Sequence, residues 1–249
     1  MWREIVELSR PKNVVLAAIT VPLGAHLALS GAWSTQALSL VALQTTSAIC
    51  FMAAGNTLND IADVSIDKEA KPDKPIPAQR VSIDQAKKIA YSFSLLSAAF
   101  MGLGAYLSDE PVPIVLIWSI AAFLMYTYDS GFQTKKMGLL GNVAISLMVG
   151  AVIVFGAAAV SKADTELVIY ASIVAFFANL AREIIKDCED METDEGRRTL
   201  PMRIGLMNAR ATAYVFILAS MVTLGLAHYT GPLEYHQMAV SYTHLRAHE

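Results

Sequence analysis

Apolar residues fall along this chain in seven long blocks, separated by short polar stretches. The blocks lie near 13–31, 36–56, 86–107, 112–130, 138–160, 166–186 and 208–229, and several reach the roughly 20 residues a helix needs to cross a bilayer. None alternates apolar and polar residues with a period of two, so the pattern does not predict a β-barrel. It predicts an all-α, multi-span transmembrane bundle. Pro22 in the first block predicts a kink there, and His26 is expected to be a hydrogen-bonded structural residue. Gly102, Gly104, Gly150 and Gly156 predict points of close helix approach. Ahead of the first block, MWREIVELSRPKN is charged and amphipathic, with Trp2, Ile5 and Leu8 placed to lie at the membrane interface.

Composition agrees with this pattern. Of 249 residues, 55% are hydrophobic and 16% charged, with a mean hydropathy of +0.45. A soluble domain carries nearer ~25% charge. The net charge of −3 and the lack of a basic, aromatic-interleaved patch give no reason to expect nucleic acid as a partner. Cys50 and Cys188 have no metal-ligand spacing and predict neither a disulfide nor a zinc site. Lys and Arg alternate sides with nearly every crossing, clustering before span 1 and after spans 2, 4 and 6. The positive-inside rule then makes the N-terminus and the loops after spans 2 and 6 cytoplasmic, in a multi-pass protein of the cell membrane.

Those two loops carry the chemistry. Residues 59–80 read NDIADVSIDKEAKPDKPIPAQR. Asp60, Asp63 and Asp67 stand at i, i+3 and i+7, sharing one face if the helix continues through them, with Asn56 and Asn59 just before. Like charges on one stripe repel, so a cation is expected among them. Hard oxygen ligands suit Mg2+, which takes a few carboxylates and completes its shell with water and phosphate. Lys71, Lys74 and Arg80 follow, on a turn stiffened by Pro72, Pro75 and Pro77. The spacing recurs at Asp187, Asp190 and Asp194, again trailed by bases and a proline. Two matched stripes on one membrane side predict two halves of one site. Tyr126 and Tyr128 end span 4 as an interfacial belt, and Lys135 and Lys136 after them read as topology signals or phosphate ligands. A transporter with a cation site at its cytoplasmic mouth is the alternative from another class, although its acids would be expected mid-span on broken helices.

NDIADVSID (59–67) and KDCEDMETD (186–194), the latter followed by GRRTLPMRIG (196–205), resemble the two aspartate-rich motifs of the UbiA superfamily of intramembrane prenyltransferases. SRPKN (9–13), KPDKPIPAQR (71–80) and REIIKDCED (182–190) are most similar to the archaeal digeranylgeranylglyceryl phosphate synthase group within it. One departure is Ala78-Gln79, where relatives tend to have a small residue and glycine before the arginine. The resemblance implies about nine helices around a cavity open to the bilayer. Seven are visible here, which predicts a chain shortened at its C-terminus: one prenyltransferase domain over 1–240, then SYTHLRAHE (241–249) as a tail of other origin. It implies that Asn59, Asp60, Asp63, Asp187, Asp190 and Asp194 hold Mg2+ against an isoprenyl diphosphate, with Asp67 closing the first stripe. Asn56, Asn59, Lys71, Lys74, Arg80, Tyr126, Tyr128, Lys136, Asn142, Arg182 and Lys186 are the expected substrate-binding residues. The expected reaction moves a geranylgeranyl group to the hydroxyl of a lipid acceptor, geranylgeranylglyceryl phosphate, releasing diphosphate. An aromatic acceptor, as in quinone synthesis, is the alternative within the family.

Overall fold

The computed structural model describes residues 1–29, 33–129, 134–163, 165–191 and 198–231. Asp194, the side chain of Lys136 and the 241–249 tail lie outside the described residues. The described chain is helical. A short α1 (Trp2–Ser9) precedes α2 (Pro11–Leu29) and α3 (Thr35–Ala62), and a one-residue break leads to α4 (Val64–Ala70). Then come α5 (Ile83–Leu107), α6 (Pro111–Asp129), a 3-10 turn (Thr134–Met137), α7 (Leu139–Ala158), α8 (Glu166–Glu189), a short α9 (Leu200–Ile204) and α10 (Leu206–Tyr229). Seven of these helices are long and apolar enough to cross a membrane, matching the seven blocks of the sequence.

Their arrangement follows from which faces they can bury. α2, α3, α5, α6 and α7 pack successively in a closed round, α7 returning to α2, while α8 packs on α7 and α10 on α8. Small residues set the closest approaches. A Cβ on Gly24 would lie 2.0 Å from the Ile153 carbonyl oxygen, and one on Gly156 would lie 2.0 Å from that of Val21, so α2 and α7 cross backbone to backbone. Gly150 meets the Ser172 carbonyl of α8 in the same way. Gly104 makes room for the fully buried Gln44 amide of α3. Gly102 differs from expectation: nothing lies near its Cβ position, and it faces outward from α5.

The outward surfaces are apolar as well. Val112, Leu116, Ile120 and Phe123 of α6 and Leu218, Met221 and Val222 of α10 are exposed. Patches of this extent are rare on water-soluble monomers and are ordinary against lipid. Several polar groups inside the bundle bond to one another instead. Ser47 Oγ donates to the Ser97 carbonyl at 2.9 Å, and Trp118 Nε1 donates to Ser97 Oγ at 2.9 Å. His26 stacks on Trp33, whose Nε1 donates to His26 Nδ1 at 3.4 Å, the structural role expected of it. α2 runs through Pro22 as one continuous helix. In α1, Leu8 departs from its expected interfacial position. It is fully buried against Ile76, Val81 and Ala86, leaving Trp2 outermost. That contact lays α1 across the loop after α4.

Candidate active site

The acids do not form one continuous stripe. α3 carries Asn56, Asn59 and Asp60 on its last turns, and the helix stops at Asp63, which is its C-cap at φ −97°, ψ 10°. Asp67 therefore sits on a separate short helix, α4. The break relieves the stacking of three like charges that a continuous helix would impose. The second motif repeats the geometry. Asp187 lies in the last turn of α8, and Asp190 is its C-cap at φ −86°, ψ 2°. In both halves the cap N–H bonds to a carbonyl four residues back, Asn59 for one and Lys186 for the other. A helix C-terminus already carries about half a negative charge. Two carboxylates at each of two such ends need cations close by.

At the first motif basic side chains supply that charge in the structure. Arg10 Nη2 donates to Asn59 Oδ1 at 3.0 Å and also reaches Asp60 Oδ1. Lys74 Nζ bridges Asp60 at 3.0 Å and Asp67 at 2.6 Å. Lys135 Nζ lies 2.8 Å from Asp63 Oδ1. Asp60 and Asp67 are both buried. Asn56 is held between two neighbours: its Nδ2 donates to the Ser9 carbonyl at 2.8 Å, and its Oδ1 accepts from Asn13 Nδ2 at 3.2 Å. On the other side, Asn142 Nδ2 donates to Asp187 Oδ2 at 2.8 Å.

One short segment joins the two halves. Lys135, on the 3-10 turn, reaches Asp63, while Asn142, on the first turn of α7, reaches Asp187. Between them Gly141 packs on the backbone of Thr134 and Lys135, its Cβ position 2.7 Å from the Thr134 carbonyl oxygen. Gly138, at φ +64°, has its Cβ position 2.4 Å from the Arg198 carbonyl oxygen, so the strand of chain after the second motif also leans on this turn. Residues 134–142 thus bring both aspartate motifs to the same end of the bundle.

The other expected residues divide. Arg80 turns to α1, donating to both carboxylate oxygens of Glu7 at 2.9 Å and to the Asp73 carbonyl at 2.7 Å. The Glu7 carboxylate holds the Arg80 guanidinium pKa above its ordinary value, so it stays charged. The residue before it, Gln79, is held at φ +58°, a conformation that favours glycine. Lys71 is exposed at the end of α4. Tyr126 is exposed and Tyr128 half-buried, both on the last turn of α6 that feeds the 3-10 turn. Arg182 pairs with Glu183, and with Lys186 it lines a depression of about 390 Å3 between α8 and α10. Arg10 enters the site without being among the expected site residues, and Lys135, read as a topology signal or phosphate ligand, pairs with Asp63. Arg10, in the basic cluster before span 1, reads from sequence as a topology signal.

The donor set fits Mg2+. Among the described residues no three His, Cys, Asp or Glu side chains gather closely enough to enclose a metal alone. Mg2+ does not require that. It binds through one or two carboxylates plus substrate phosphate and water. Buried carboxylates paired with lysine ammonium groups match that requirement.

Comparison with known proteins agrees. The chain is 35% identical over 220 residues to a digeranylgeranylglyceryl phosphate synthase of Pyrococcus horikoshii, covering 86% of this chain and 73% of that one. A solved digeranylgeranylglyceryl phosphate synthase superposes with a TM-score of 0.75 at 25% identity, over 94% of this chain and 79% of the other. A UbiA homolog from Archaeoglobus fulgidus, solved with GPP and Mg2+, superposes at 0.70 with 18% identity, over 96% and 82%. The UbiA prenyltransferase family model matches residues 11–243, and the chain, a multi-pass membrane protein by its seven apolar helices, belongs to that family.

Proposed function

We propose that this protein transfers a geranylgeranyl group from its diphosphate to the free hydroxyl of geranylgeranylglyceryl phosphate, forming an ether lipid and releasing diphosphate. The observation that carries the reading is the joining of two acid-bearing helix ends by residues 134–142. The likeness to digeranylgeranylglyceryl phosphate synthases supports the choice of acceptor.

Asn59, Asp60, Asp63, Asp187, Asp190 and Asp194 would hold Mg2+, with Asp67 completing the first half. When bound, the ion supplies Lewis-acid neutralisation of the leaving diphosphate. Lys74 and Lys135 sit on the carboxylates in the structure and can turn to the diphosphate oxygens as charge there develops. Lys71, Lys136 and Lys186 add further ammonium groups at the mouth. Arg80 serves by fixing the loop through Glu7. Asn56, Asn142 and Arg182 orient the motifs around the head group. The isoprenoid tail enters from the bilayer between apolar helices, which excludes water from the allylic cation formed as the C–O bond breaks. Tyr126 and Tyr128 offer ring faces to that cation, an attraction of about 1–2 kcal/mol. The positive-inside pattern puts this end, with the N-terminus, on the cytoplasmic side of the cell membrane. Residues 1–240 act as one domain.

The test is an acceptor panel on purified protein with geranylgeranyl diphosphate and Mg2+. Geranylgeranylglyceryl phosphate should be prenylated and 4-hydroxybenzoate should not. Prenylation of the aromatic acid alone would assign the protein to quinone-type chemistry. Transfer to neither, with cation flux across vesicles, would favour transport.

A further inference from the structure

Glu183 has no role in the account so far. It lies on α8 one turn from Asp187 toward the bilayer, about 6 Å along the helix axis. Only 7% of it is exposed. Its position is set by two cross-links between α7 and α8. Asn142 bonds Asp187 on the cytoplasmic-end side of it, and Asn179 Nδ2 donates to Ser146 Oγ at 3.1 Å on the other. Asn179, Glu183 and Asp187 stand at i, i+4 and i+8, so all three follow one face of α8 into the seam.

A carboxylate at this depth is costly unless it is used. Its partner does not account for it. Glu183 Oε1 meets the guanidinium of Arg182, the adjacent residue, whose side chain is 68% exposed. Neighbours in sequence do not face each other on a helix, and an arginine already in contact with water gains little from a buried anchor. No hydrogen bond from the described residues reaches Glu183 Oε2, and that atom is not among the fully enclosed ones. One carboxylate oxygen is therefore available.

The reaction proposed above needs such a group. An aliphatic hydroxyl that bonds to an allylic cation must give up its proton as the ether forms. The carbon it attacks is C1 of the prenyl chain, on the membrane side of the diphosphate. The proton acceptor must then lie deeper than the carboxylates that grip the head group, a condition that Glu183, one turn below Asp187, meets. We propose that Glu183 is the general base for the acceptor hydroxyl; this rests on the prenyl-transfer reading. The hydroxyl oxygen forms a bond to C1. The C1–O bond to diphosphate breaks, and its electron pair leaves with the diphosphate. The hydroxyl proton passes to Glu183 Oε2 and from there to solvent along the exposed Arg182 edge.

The test uses the full chain in detergent with Mg2+, geranylgeranyl diphosphate and two acceptors: the glycerol phosphate lipid and its analogue with a thiol in place of the reacting hydroxyl. A thiol ionises near pH 8.5 and needs no base there. Glu183→Gln should lower kcat with the alcohol by about 100-fold or more, leave the KM for the diphosphate unchanged, and keep thiol transfer within about threefold of the parent. A purely structural role would depress both acceptors together. Equal loss with both, or alcohol turnover within about threefold of the parent, overturns the assignment. If the parent protein prenylates neither acceptor, the transfer reading itself falls, and that result is separate from any effect of Glu183.

Discussion

Replacing Lys135 with methionine keeps the length of the side chain and removes its charge. In the structure the ammonium lies 2.8 Å from Asp63 Oδ1, with the lysine side chain 4% and the aspartate side chain 15% exposed. At an effective dielectric of about 20, the bare attraction at that separation is about 6 kcal/mol. Much of this offsets the cost of taking both charges out of water. Removing one partner of such a pair costs up to about 3–5 kcal/mol, the full penalty holding where the remaining charge has no other partner. Asp63 keeps some access to water and has a further interaction besides Lys135, so the penalty falls at the lower end, about 3 kcal/mol. A divalent cation at the site can replace the ammonium as counter-charge to Asp63. The penalty should then be largest in EDTA and fall below about 1 kcal/mol at saturating Mg2+. Reversible unfolding of detergent-solubilised protein, with and without Mg2+, reads both quantities, and a double-mutant cycle with Asp63→Asn isolates the pair. Unchanged stability of Lys135→Met in EDTA would refute the reasoning. So would a penalty that is the same in Mg2+.

Arg10→Ala should lower kcat by about 10- to 100-fold and raise the Mg2+ requirement, because Arg10 ties Asn59 to Asp60 from the end of α1; Arg10→Lys should recover part of the loss, since a single nitrogen serves both oxygens. Steady-state kinetics across a Mg2+ titration checks this. Gly156→Leu should cost more than about 2 kcal/mol by forcing α2 from α7, whereas Gly102→Ala should stay within about 0.5 kcal/mol, both read from unfolding curves. Gln79→Gly should stabilise by up to about 1 kcal/mol, because it removes a side chain from a left-handed backbone. A loss of stability in that variant would show that Gln79 is held by a contact worth more than the strain.

The spans were legible because lipid imposes a long apolar run on every crossing helix, and all seven blocks correspond to helices. Their ends were less so. The second span is predicted to end near residue 56, yet α3 continues to Ala62. Polar Asn59 and Asp60 lower the hydropathy there without ending the helix, because their side chains find Arg10 and Lys74. Spacing brought out the paired acids, but it could not reveal that each helix stops at the second aspartate. That break depends on charge repulsion and on partners far away in the chain. Tertiary partners are not readable from local sequence: Lys135 finds Asp63, 72 residues away, and Arg80 finds Glu7, 73 residues away. Glycines show the same limit. Gly104, Gly150 and Gly156 meet another helix and Gly102 does not, a difference set by which face of the helix points inward.

The central claim is that both aspartate motifs hold a single Mg2+–diphosphate head group. Calorimetric binding of geranylgeranyl thiolodiphosphate, an analogue that ionises very slowly, tests it most directly. The account predicts binding that requires Mg2+ and weakens by at least about tenfold, or 1.4 kcal/mol, in Asp63→Asn and again in Asp190→Asn. Weakening by one substitution while the other leaves affinity unchanged, or full binding in EDTA, would contradict it.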